Sequence, residues 1–159
     1  MAALTAERAM LEPAAIRLGA TAADRADAIA QVGAVLLESG AVDAEYVAAM
    51  HEREASVSTY IGEGVAIPHG TDASRAHVRR SALAVVGFPA GVDWDGERVS
   101  LCVGIAAQGS EQVGVLSALA KVLMDPEKAA ALRAATEPET VLALLGAEEP
   151  QREDQEAVQ

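Results

Sequence analysis

The sequence predicts an α/β fold: a mixed, mainly parallel sheet flanked by helices on both faces, in a single domain. Three observations lead there. Short valine-rich apolar runs, Val65 to Ile67, Ala82 to Phe88 and Val99 to Ala106, have the length and β-branched content of buried strands. Helical periodicity brackets this block, with Ile29, Val32 and Leu36 on one face before it and Val113, Leu116, Ala120 and Leu123 after it. Strands apolar throughout need cover on both sides, and the order helix, helix, strand, strand, strand, helix, helix supplies it.

Composition bounds the rest. A chain of 159 residues suits one core, and with 51% hydrophobic residues but only four aromatics that core is aliphatic. No apolar run approaches the roughly 20 residues that span a bilayer. Met1 to Leu11 lacks the regions of a signal peptide. One cysteine, Cys102, excludes an internal disulfide and suits a reducing compartment. The expectation is a soluble cytoplasmic protein with no direct membrane insertion. A formal charge of −12 argues against nucleic acid, whose phosphates it would repel. It suits a basic protein partner, though solubility alone also explains it. Five acids against one arginine between Glu148 and Glu156 read as a disordered tail, so the expected division is a domain over 1–146 and an acidic tail over 147–159.

Residues 1–14 give a weak helical start ending at Pro13, and Ile16 to Gly19 a short first strand. Thr21 is a good N-cap for a helix to about Ser39, closed by Gly40. A second helix starts after Asp43, carries Tyr46, Val47 and Met50 on its apolar face, and ends near Glu54. Ser56 to Thr59 is a polar connector into the strand Val65 to Ile67. Thr71 to Arg80 is charged and turn-like; Arg75, Arg79 and Arg80 beside His77 form either a solvated rim or part of an anion-binding mouth. Pro89 to Gly96, with Trp94, reads as a loop between the two longer strands. Ser110 caps the helix that follows, Pro126 opens another to about Ala135, and Thr136 to Leu145 forms the last, stopped by Gly146.

The chain is organised around Tyr60 to Gly70. Its strand ends at Pro68, which has no N–H to extend a ladder, so His69 stands at a strand's carboxyl end with Gly70 allowing close backbone approach. Open α/β sheets bind ligands at that end. A histidine there is placed for chemistry near neutral pH, and a solvated turn histidine fits the same pattern. No phosphate-binding G-x-x-x-x-G-K-[ST] loop, H-E-x-x-H pair or G-x-S-x-G elbow occurs. His51, His69, His77 and Cys102 match no common zinc spacing, so neither metal nor cofactor is expected. Arg53, sixteen residues before His69, reads on its own as an ion-pair partner on an exposed helix face.

Together, Met50-His51-Glu52-Arg53-Glu54 and Ser58 through Pro68-His69-Gly70 resemble the enzyme IIA domain of the bacterial phosphoenolpyruvate-dependent sugar phosphotransferase system, mannitol/fructose class. The likeness runs from about Leu11 to Gly146. Gly91-Val92, Val103 to Ala107 and the helix beyond are similar to the mannitol-type branch. The resemblance implies a phosphotransferase component. His69 would accept a phosphoryl group from the phosphocarrier HPr and pass it to a cysteine or histidine of enzyme IIB during sugar uptake. Arg53 would clamp the phosphoryl oxygens, with Gln112 and backbone donors near Gly70 shaping the pocket.

One position departs from that pattern. Mannitol-type domains carry a second histidine at the start of the helix after the Gly-Ile-Ala-Ala strand, where this chain has Gln112. Regulatory relatives keep the first histidine and serve signalling, so a regulatory phosphorelay module is an alternative. A binding domain in which His69 is never phosphorylated is another.

Overall fold

The computed structural model describes residues 10–109 and 111–146. Five strands form one open sheet in the order β1-β4-β5-β3-β2. They are β1 (Ile16–Arg17), β2 (Tyr60–Gly62), β3 (Val65–Ala66), β4 (Ala82–Trp94) and β5 (Glu97–Ala106). The sheet is mixed, as expected, but less parallel than expected. β1 with β4 and β3 with β5 run parallel, whereas β2 with β3 and the long β4–β5 pair are antiparallel. Every residue from Ala82 to Phe88 and from Leu101 to Ala106 is buried, so the middle of the sheet is covered on both faces.

The first helix, α1 (Arg25–Glu38), starts three residues later than Thr21 would cap it. Asp24 takes the N-cap role: its carboxylate accepts from Asp27 N at 2.8 Å, while the Asp27 carboxylate accepts from Ala23 N at 2.9 Å. These two bonds satisfy more amides than one hydroxyl would. The helix ends as Gly40 implies, with Gly40 N donating to Leu37 O and Ala41 N to Leu36 O. Its Val32 and Leu36 lie on the sheet at Gly104, where an added Cβ would fall 2.2 Å from Val32 Cγ1. Gly104 thus sets how closely α1 approaches β5.

Asp43 caps α2 (Ala44–Ser56), which runs two residues past the expected end. After it, β2 and β3 form a hairpin whose two loop residues, Glu63 (φ 57°) and Gly64 (φ 73°), both have positive φ. The expected loop over 89–96 is instead mostly strand. β4 continues to Trp94, a register shift between Gly87 and Val92 accommodates Pro89, and only Asp95 and Gly96 make the turn. A bulge tolerates a proline that a regular ladder would not.

The last helices are α3 (Glu111–Leu123), α4 (Pro126–Ala134) and α5 (Pro138–Gly146). The buried face of α3 is Leu119, Val122 and Leu123; Val113, in its first turn, is 71% exposed and off the expected apolar face. Asp125 caps α4, accepting from Glu127 N and Lys128 N, with Pro126 at the first helical position. Pro13–Ala15 form one 3-10 turn, while most of the expected N-terminal helical start, the Ser110 cap and the 147–159 tail lie outside the described residues.

Candidate phosphohistidine site

Parallel pairing of β3 with β5 aligns Val65 with Leu101 and Ala66 with Cys102, and carries the chain onward until His69 stands opposite Ile105. Ile105 N donates to Pro68 O at 3.0 Å. His69 is 7% exposed, so the solvated-turn reading does not hold. Its Nδ1 lies 2.8 Å from Ile67 O. A carbonyl only accepts, so Nδ1 carries the proton, and in the neutral ring Nε2 keeps its lone pair. Burial pushes the His69 pKa down; the Ile67 carbonyl opposes this, the Arg53 charge adds to it, and Glu54 and Asp72 pull the other way. The net effect is a neutral imidazole at pH 7.

Arg53 occupies the last turn of α2, half-buried, with Nη1 donating to Val57 O. Among the described residues it has no carboxylate in an ion pair. The surface ion-pair reading therefore fails, and the charge is left to act on His69. Glu54 beside it is 4% exposed and holds the turn in place. Its carboxylate accepts from Thr59 N at 3.0 Å, from Thr59 Oγ1 at 2.5 Å and from Trp94 Nε1 at 2.9 Å, with Arg25 Nη1 at 3.9 Å. These donors offset the cost of burying the Glu54 side chain.

Gly70 has no space for a side chain: a Cβ would meet Ser74 Oγ at 2.5 Å and Tyr46 Cε1 at 2.6 Å. Its N–H donates to Tyr46 Oη at 2.9 Å, and that hydroxyl donates to Ile105 O at 2.8 Å. The Gly70 amide is therefore already engaged. Gln112, half-buried, lies in the first turn of α3, just past the β5 end where His69 pairs; no hydrogen bond among the described residues joins it to His69. Three members of the basic segment are already engaged. Arg75 pairs with Asp72 at 3.0 Å, His77 with Asp43 at 2.9 Å, and Arg80 donates to Ser39 O at the end of α1. Asp43, Glu45 and His77 gather ligand-type atoms within 4.8 Å of one another. Asp43 already caps α2 and pairs with His77 there.

Sequence reasoning placed His69 and Arg53 but gave Tyr46 only a packing role and Glu54 none. One of the chain's two tyrosines, in that helix, and an acid beside Arg53 are the available signals.

A family model described as phosphoenolpyruvate-dependent sugar phosphotransferase system, EIIA 2, matches residues 9–147. The chain belongs to that family. Over 101 residues it is 46% identical to the mannitol-specific phosphotransferase enzyme IIA component of Staphylococcus aureus, covering 64% of this chain and 70% of that protein. It is 41% identical over 138 residues to a multiphosphoryl transfer protein of Xanthomonas campestris, covering 86% of this chain but 16% of that much longer protein. The IIA fold is similar to that in a complex of mannitol enzyme IIA with phosphorylated enzyme IIB from Escherichia coli. The TM-score is 0.80 at 33% identity, over 86% of this chain and 99% of that one. The IIA domain described here is thus a component of the sugar phosphotransferase system. Among the described residues no helix is long and apolar enough to cross a membrane.

Proposed function

We propose that this IIA domain is a cytoplasmic phosphohistidine carrier, accepting a phosphoryl group from phospho-HPr on His69 and passing it to enzyme IIB during mannitol/fructose-type sugar uptake. The observation that carries this reading is the His69 ring, buried, neutral, and committed through Nδ1 to Ile67 O. Nε2 is the nucleophile. It attacks phosphorus in line with the donor's P–N bond; as that bond breaks, the electron pair returns to the donor imidazole. The new phosphoramidate is labile enough to pass onward by the same displacement to a cysteine or histidine of IIB.

Such transfer needs positioning and charge stabilisation more than acid–base chemistry. Arg53, without a carboxylate partner, supplies a planar cationic fork for the phosphoryl oxygens. Gln112 offers amide donors at the same sheet end. Gly70 contributes room, its amide being held by Tyr46.

Incubating the chain with phospho-HPr, read by intact mass and acid lability of the adduct, tests the proposal. One phosphoryl group per chain is expected, and none in His69→Ala. Labelling that survives in His69→Ala, on His51 or His77, would overturn the assignment.

A further inference from the structure

We propose that Tyr46 is a positioning residue of the His69 site, its hydroxyl inserted as a wedge into the His69–Ile105 bridge that lies beyond β3 in register with its pairing to β5. The proposal rests on the carrier reading above for its catalytic consequence, but not for its geometry. In a parallel ladder a residue uses its N–H and C=O on the two neighbours of its partner. Ile105, opposite His69, should therefore donate to Pro68 O and accept from Gly70 N. The first bond is present at 3.0 Å. In place of the second, Gly70 N donates to Tyr46 Oη, which donates to Ile105 O.

The chain is thus tied to β5 directly at Pro68 and through the Tyr46 hydroxyl at Gly70, on either side of His69. The spacer is rigid. Tyr46 is 2% exposed, and Gly70 is trapped between its ring and Ser74, whose Oγ donates to Thr71 O at 2.6 Å. Tyr46 and Arg53 are seven residues apart, two turns along one face of α2. One helix therefore carries both the hydroxyl beside His69 and Arg53, whose charge acts on the imidazole.

Tyr46→Phe in the full chain keeps the ring and deletes the wedge. In the unphosphorylated protein, Gly70 amide exchange should rise about tenfold or more, because its acceptor is gone. The His69 ring nitrogens should move from one dominant Nδ1–H tautomer to a mixture, and the titration midpoint should rise toward the ordinary histidine value as the ring gains solvent. With phospho-HPr as donor, kcat should fall about tenfold while KM stays within about twofold, the signature of lost alignment. Ring shifts and a titration midpoint unchanged from the parent would overturn the proposal, whatever the variant's stability. Should Tyr46→Phe fail to fold, fluorotyrosine incorporation weakens the hydroxyl as an acceptor while leaving it in place; Gly70 exchange that does not rise there overturns it equally. If the parent accepts no phosphoryl group, the carrier reading fails, while the exchange and ring measurements still decide the wedge.

Discussion

Removing the Glu54 carboxylate tests how the site is held together. Glu54→Ala leaves Thr59 N–H and Trp94 Nε1–H buried without an acceptor, and each such group costs about 1–3 kcal/mol. With the void left by the side chain, the loss should be about 3–5 kcal/mol, a large share of the ~5–15 kcal/mol typical of a domain. The Arg25 contact, at 3.9 Å with the arginine a third exposed, adds little. Glu54→Gln should cost less, about 1–2 kcal/mol. Its carbonyl can take the place of Oε2, which accepts both N–H groups, and its amide can donate to Thr59 Oγ1; what is lost is the charge assistance. Urea denaturation reads both values. Trp94, the chain's one tryptophan, gives an intrinsic fluorescence signal at the bond being removed. For Glu54→Ala, Tm should fall by roughly 10 °C, at about 2–4 °C per kcal/mol for this size of chain. A loss below about 1 kcal/mol in the alanine variant, with Trp94 emission unchanged, would show that Glu54 does not hold the end of α2, and with it Arg53.

The site's chemistry was more legible in sequence than its mechanics. Pro68 lacks an N–H and so interrupts pairing with β5, which β3 makes up to Ala66 and which returns only as the isolated His69–Ile105 bridge; the strand-end position of His69 is therefore legible in one residue's covalent structure. The burial of His69 did not follow, because it depends on β3 pairing with β5 thirty-six residues downstream. The same non-local pairing hid the roles of Tyr46 and Glu54. Tyr46 bonds to Ile105 and Glu54 to Trp94, partners 59 and 40 residues away, and no local spacing links such positions. The Pro89–Gly96 segment misled for the opposite reason. Pro, Gly and Asp are loop formers locally, yet the hairpin's cross-strand pairs, Val92 with Val99 and Trp94 with Glu97, carry the strand past them. Thr21 lost the cap to Asp24 because two aspartates three apart together satisfy two amides, Asp24 accepting from Asp27 N and Asp27 from Ala23 N, a pairwise effect that single-residue preference misses.

Arg53→Lys keeps the charge but loses the planar fork, so the transfer rate from phospho-HPr should fall about tenfold or more while HPr binding changes little; equal rates would remove Arg53 from the phosphoryl site. The pH profile of acceptance should divide His69 from position 112. The His69 pKa is lowered chiefly by burial, so the neutral nucleophile should persist below the ordinary histidine value of about 6.5. The same shift fixes the sign for stability: the unfolded chain takes up the proton first, so His69 costs stability as pH falls through about 6.5 toward the folded value, and nothing above it. Gln112 has amide donors but no proton to gain, so the parent should show one acid limb only. Gln112→His places a second titrating group at the same sheet end and should add a second limb, with faster acceptance on the acid side where both position 112 and Arg53 are cationic. Gln112→Ala should slow acceptance without changing the shape of the profile, since it removes a donor and no charge. Rates measured from about pH 5 to about pH 9 distinguish these outcomes. If both substitutions leave rate and profile as in the parent, position 112 does not face the phosphoryl group, and Arg53 alone carries its charge.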